Sequence, residues 1–127
     1  MKYLIVTNNP LVKEEFDNYL FIEGSFLDVL IKVRDLIHKG MKLVSHPLGA
    51  SVRMLFSPYR SIVVGEGENE MKDFYVEIIE NSIANYRKHM DVRRVDKENS
   101  ESYALIDKEL LVSVIKDLET SLISKFV

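Results

Sequence analysis

Leu36-Ile37-His38-Lys39-Gly40-Met41-Lys42-Leu43-Val44-Ser45-His46-Pro47-Leu48-Gly49-Ala50-Ser51 is the stretch that sets the architecture. It reads as the end of a helix, a glycine stop, an apolar strand, then a loop of His, Pro, Gly and Ser. His38 and Lys39 suit a helix C-terminus, where cations complement the macrodipole. Gly40 can take the left-handed conformation that ends a helix. In an open α/β sheet, loops leaving the carboxyl ends of strands hold ligands. The loop from His46 is therefore one wall of a predicted pocket.

Working towards the N-terminus, Ser25 opens the helix that Gly40 closes. Ser25 and Asp28 have capping-box spacing. Phe26, Leu27, Leu30, Val33, Leu36 and Ile37 recur at helical period. Tyr19 to Ile22 is a strand candidate stopped by Glu23-Gly24. Tyr3 to Thr7 is a continuous apolar run, as in a strand covered on both faces. Asn9-Pro10 starts a short helix over Leu11 to Asp17, with Asn9 as N-cap and Pro10 at the first helical position. Thr7-Asn8-Asn9-Pro10 is then a second strand-end loop, facing the same predicted pocket.

Towards the C-terminus, Val52, Met54 and Phe56 alternate and predict a short extra strand in the long segment from His46 to Arg60. Ser61 to Gly65 is the fourth strand. Met71 to Lys88 reads as an amphipathic helix with Phe74, Tyr75, Ile78, Ile79, Ile83 and Tyr86 on one face. His89 to Ser102 is charge-dense and is expected to be a mobile connection. Asp107 is placed as N-cap of a final helix whose Leu110, Val114, Leu118 and Leu122 fall four apart, flanked by Leu111, Ile115 and Ile123. That stripe packs on its own sheet or pairs with a second copy. The alternation of strand and helix is the sign of parallel βαβ construction. The expectation is one α/β domain over residues 1–127: a three-layer α/β/α sandwich of about four mostly parallel strands plus a C-terminal helix.

Composition narrows the function classes. A chain of 127 residues can bury an adequate core without metal or disulfide. A formal charge of −3 argues against a general nucleic-acid binder, whose phosphate contacts need a basic surface. The one basic cluster, Arg87, Lys88, His89, Arg93 and Arg94, is diluted by Asp91, Asp96, Glu98 and Glu101. The N-terminal apolar run is too short for a signal peptide and no stretch approaches a membrane span. A cytoplasmic protein with no membrane partner is expected. There is no cysteine, hence no disulfide, thiolate metal site or thiol nucleophile.

Few residues carry recognisable chemistry. His38, His46 and His89 lack metal-ligand spacing, so no metal is expected. No Gly-x-Gly-x-x-Gly or Walker sequence is present, so no nucleotide cofactor is implied. His46, at a strand end, either hydrogen-bonds the backbone and locks its loop or serves as a general acid or base. Asn8 and Asn9 offer amide groups at the first strand's end, or simply form a turn and cap. Arg53 and Arg60 have the fork geometry that matches a carboxylate or phosphate. Arg60 precedes a strand and is expected at the sheet edge opposite Arg53.

Four runs, Val6-Thr7-Asn8-Asn9-Pro10, Lys32-Val33-Arg34-Asp35-Leu36-Ile37-His38-Lys39-Gly40, His46-Pro47-Leu48 and Pro58-Tyr59-Arg60-Ser61-Ile62, together resemble the GrdX family over roughly the first two-thirds of the chain. The resemblance implies association with the glycine, sarcosine and betaine reductase systems of amino-acid-fermenting anaerobes, and with their subunits as partners. That reductase chemistry uses selenol and thiol groups, which this chain lacks. The implied role is that of a non-enzymatic accessory protein without a cofactor. The expected binding surface is Asn8, Asn9, His46, Ser51 and Arg53. The alternative is a small-molecule module or enzyme that takes an anion or carboxylate in the same cleft, with His46 as acid or base and Arg53 on the anion. Self-association through the C-terminal helix is a third possibility.

Overall fold

The computed structural model describes residues 2–49, 52–67 and 70–124. The chain runs β1 (Tyr3–Thr7), α1 (Pro10–Glu15), β2 (Tyr19–Phe21), α2 (Phe26–His38), β3 (Lys42–Leu43), a 3-10 turn (Val52–Phe56), β4 (Ser61–Gly65), α3 (Lys72–Met90) and α4 (Ser100–Ser124). Local signals acted as written in the sequence. Asn9 caps α1, its Oδ1 accepting from Leu11 N at 3.0 Å. Ser25 and Asp28 form the reciprocal capping box of α2. Gly40, at φ 109°, follows α2 with its N–H donated to Ile37 O.

The sheet corrects the expectation of mostly parallel strands. Its order is β2-β1-β4-β3, and only the β1–β2 pair is parallel. β4 runs antiparallel to both of its neighbours. The physical reason lies between β3 and β4. A parallel return needs a long crossover, usually a helix. Among the described residues of this connection the one helical element is a 3-10 turn, and β4 comes back antiparallel and inserts between β1 and β3. The predicted strand at 52–56 is that 3-10 turn. Its buried residue is Leu55, not the alternating Met54 or Phe56.

Side chains alternate across β1 and β4, so each sheet face has its own cluster. Leu4, Val6, Ile62 and Val64 face α2 and α3, joining Phe26, Val29, Leu30, Val33, Ile37, Ile79, Ile83 and Tyr86. Phe26 stacks on Tyr86 with ring centroids 4.7 Å apart. On the other face Ile5 and Val63 meet Val12 of α1 and Leu111 and Ile115 of α4. By the same parity Thr7 and Ser61, paired in register at the end of β1 and the start of β4, stand on the α4 face.

The C-terminal region differs from expectation in one informative way. α3 runs to Met90 and α4 begins at Ser100, so the irregular stretch is shorter than 89–102. Asp96 N donates to Phe56 O at 2.9 Å within it. Asp107 is therefore not an N-cap. It sits inside α4 and is only 1% exposed. No helix of the described residues is long and apolar enough to cross a membrane.

Candidate functional site

A carboxylate buried inside a helix requires partners, because an isolated charge away from water is strongly unfavourable. Asp107 has them at the junction of β1 and β4. Its Oδ1 accepts from Ser61 N at 2.9 Å, and its Oδ2 accepts from Ser61 Oγ at 2.7 Å and Asn9 Nδ2 at 2.9 Å. The hydroxyl protons follow. Ser61 has one proton and gives it to the carboxylate, which can only accept. The 2.7 Å contact between Thr7 Oγ1 and Ser61 Oγ is then donated by Thr7. Thr7 Oγ1 in turn accepts from Asn9 N at 3.0 Å. The chain Asn9 N–H, Thr7 hydroxyl, Ser61 hydroxyl, Asp107 runs in one direction, so each bond polarises the next. Asn9 Nδ2 also donates to Ala104 O at 2.8 Å, fixing the register of α4.

Arg60 is the second buried charge, 6% exposed. Its Nε donates to Pro47 O at 2.8 Å and its Nη2 to His46 O at 2.6 Å. These bonds tie the start of β4 to the loop leaving β3. Arg60 Nη1 faces Asp107 Oδ1 at 4.0 Å, an ion-pair distance but too long for a direct hydrogen bond. Burial lowers the guanidinium pKa and Asp107 partly restores it. Arginine stays cationic throughout. Gly49, at φ 74°, takes the left-handed conformation that other residues rarely adopt, and so turns the loop over this group.

A cleft of about 470 Å³ opens above this pair, a size common for small-molecule sites. Ser45, His46, Gly49, Arg60 and Ser61 form its polar side. Leu110, Leu111, Ser113 and Val114 of α4 form the opposite wall. Ser45 Oγ accepts from Val63 N at 2.9 Å, which leaves its proton to donate. His46 Nδ1 accepts from Leu48 N at 3.1 Å, so Nε2 carries the proton of the neutral ring. Burial, and then the charge of Arg60, lower the His46 pKa. Groups facing the cleft are thus mainly donors.

The residues predicted from sequence divide. His46 lines the cleft, in the loop-locking role. Asn8 is buried; its Nδ2 donates to Gly24 O and Pro58 O, and its Oδ1 accepts from Arg60 N at 2.8 Å. Asn9 is bound into the Asp107 network. Neither amide lines the cleft. Arg53 is exposed on the 3-10 turn, and its charge acts on the Tyr103 hydroxyl. Ser51 lies outside the described residues. β1 and β3 run in the same direction but are not neighbours, since β4 separates them. Their carboxyl ends still meet, because the antiparallel β4 brings Arg60 to the edge they share. That corrects the opposite-edge placement of Arg60. Arg60, Ser61, Thr7 and Asp107 were missed as a set. The one available signal was Asp107 in the helical pattern, three residues ahead of Leu110. Among the described residues no group of three or more His, Asp or Glu could hold a metal ion.

Comparison with known proteins gives one finding. No curated protein and no solved structure matches the chain. The sequence model of the GrdX-like protein family matches residues 4–116, which takes in β1, Arg60 and the Asp107 turn of α4. With nearly the whole sheet and the buried charge pair inside that match, the chain belongs to the GrdX-like protein family.

Proposed function

We propose that this protein is a non-enzymatic accessory component of the glycine, sarcosine and betaine reductase system that binds a small anion in the cleft between β4 and α4. The observation that carries the ligand reading is Arg60. It is a buried cation with an Nη1 group that no hydrogen bond reaches among the described residues, beside a serine hydroxyl and a histidine that both have a proton to donate. Anions suit donor-lined sites because charge-assisted hydrogen bonds are the strong ones. The reductase context rests on the family. The absence of cysteine supports an accessory role, since the chain has no thiol for that redox chemistry. A catalytic role for His46 has less support, because the nitrogen that would take a proton already accepts from Leu48 N. Leu105, Ile106 and Leu110 are exposed on α4, which supports docking of a reductase subunit along that helix.

Two measurements test the two parts. A ligand that binds only the folded state at 100 times its Kd adds about 2.7 kcal/mol of stability. Thermal melts with acetate, acetyl phosphate and inorganic phosphate should show a rise with at least one of these anions, abolished in Arg60→Lys. No rise with any of them removes the cleft reading. A pull-down from a producing cell lysate should enrich reductase subunits. A bait that enriches none, and instead doubles its own molar mass in light scattering, replaces that partner by a second copy.

A further inference from the structure

The cleft holds enough chemistry to choose among anions. We infer that its ligand is an aliphatic monocarboxylate, with the carboxylate on Arg60 and the tail along Leu110, Leu111 and Val114 of α4. The inference rests on the anion-binding reading above and narrows it. Three observations carry it. First, the charge count is low. Arg60 is the buried cation of the cleft, and Asp107 stands 4.0 Å from its Nη1. His46 is held neutral by burial and by Arg60 itself. With Asp107 so close, every negative charge on the ligand adds to that of one carboxylate facing one guanidinium, so a dianion is disfavoured more strongly than a monoanion. Second, the α4 wall is mainly apolar, with Ser113 its one polar side chain. Leu111 is buried, Val114 half-buried and Leu110 exposed, so an alkyl chain laid on them removes apolar surface from water on both sides. Third, the oxygens nearest Arg60 already accept hydrogen bonds. Asp107 receives Ser61 N, Ser61 Oγ and Asn9 Nδ2, and the carbonyls of His46 and Pro47 receive Arg60. An ammonium group next to the bound carboxylate lies near the Arg60 guanidinium and is repelled by it. The cleft therefore discriminates against zwitterionic amino acids.

Calorimetric titration of the full chain at pH 7 and fixed ionic strength tests this with acetate, propionate, butyrate, hexanoate, glycine and inorganic phosphate. Affinity should rise roughly fourfold per added methylene. Glycine should bind about tenfold more weakly than propionate, because its ammonium group is held near the like charge of Arg60. Phosphate should bind more weakly than butyrate. Arg60 also holds the loop through Pro47 O and His46 O, so the second variant is Leu110→Glu, at an exposed position outside the buried core. It should cut hexanoate affinity at least about tenfold and flatten the chain-length series, since a like charge replaces the apolar contact. Phosphate binding as tightly as butyrate, or an affinity independent of chain length, overturns the inference while leaving an anion site. Glycine binding as tightly as propionate also overturns it. Chain-length dependence that persists unchanged in Leu110→Glu places the tail elsewhere and overturns it too. No binding by any of the six probes removes both this inference and the anion reading beneath it.

Discussion

The two faces of the sheet are held by different physics. Towards α2 and α3 the contact is dry. Val6, Ile62 and Val64 lie under Phe26, Val29, Leu30, Val33 and Ile37, all essentially unexposed. Towards α4 the apolar contact is smaller, and a buried polar network continues it at Asp107. The hydrophobic effect is non-directional, so the first face fixes that α2 packs but tolerates small shifts. Hydrogen bonds to named atoms do not tolerate them, so the second face fixes where α4 sits along β4. The cleft lies on the face whose geometry is specified atom by atom. Binding sites need such placement, because a ligand is recognised by groups held in fixed positions.

The largest effect is expected where the polar face is broken. Asp107→Ala leaves Arg60 without its counter-charge, Ser61 N and Oγ without their acceptor, and Asn9 Nδ2 with Ala104 O alone. Removing one partner of a buried ion pair costs about 3–5 kcal/mol. Chemical denaturation should show that loss. Hydrogen exchange should show it locally, with α4 amides losing protection before those of α2. Equal loss of protection in α2 and α4 would mean that the network does not hold α4 in place.

The dry face supplies the counterpart. Leu30→Ala removes a fully buried side chain and leaves a cavity, at about 3 kcal/mol. The total is close to that of Asp107→Ala, but its distribution should differ. Protection should fall across α2 and α3 while the cleft still binds its ligand with unchanged affinity. If Leu30→Ala abolishes binding as completely as Asp107→Ala does, the two faces are not independent and the comparison breaks.

This contrast also explains what could be read in the sequence. The elements were legible because caps and periodicity are local. Asn9-Pro10, Ser25 with Asp28, and Gly40 each act within a few residues. The α2 stripe needed only its own spacing. The direction of β4 was not legible, because it depends on what the segment from Val44 to Arg60 does in space. The alternating Val52, Met54 and Phe56 suggested a strand, whereas burial of Leu55 and the Ser57 N to Met54 O bond made a 3-10 turn. The charged pair was hidden for the same reason. Arg60 and Asp107 meet only because β4 is antiparallel and Asp107 lies one turn before Leu111 on the face turned to the sheet. Asn8 and Asn9 were rightly placed at the strand end. Their amides are committed to backbone and carboxylate partners that lie far away in the sequence.

The smallest effect concerns His46, where the polar face meets solvent. Its folded pKa lies below the ordinary histidine value of about 6.5, through burial first and Arg60 second. Above that value the ring is neutral in both folded and unfolded chains, and its contribution is fully present. Below it the unfolded chain takes up a proton more readily than the folded one, so stability is lost as pH falls through the folded pKa. The exposed ring keeps this contribution small. Protonation also removes the acceptor at Nδ1 that receives Leu48 N. His46→Asn keeps an acceptor near that place and does not titrate. Melting curves of the two proteins should therefore stay parallel from pH 8 to 7 and converge towards pH 5, as the wild type loses the histidine contribution. A wild type that gains stability relative to His46→Asn on acidification would mean that the charged ring is favoured in the fold. The neutral, donor-bearing His46 of the cleft would then be wrong.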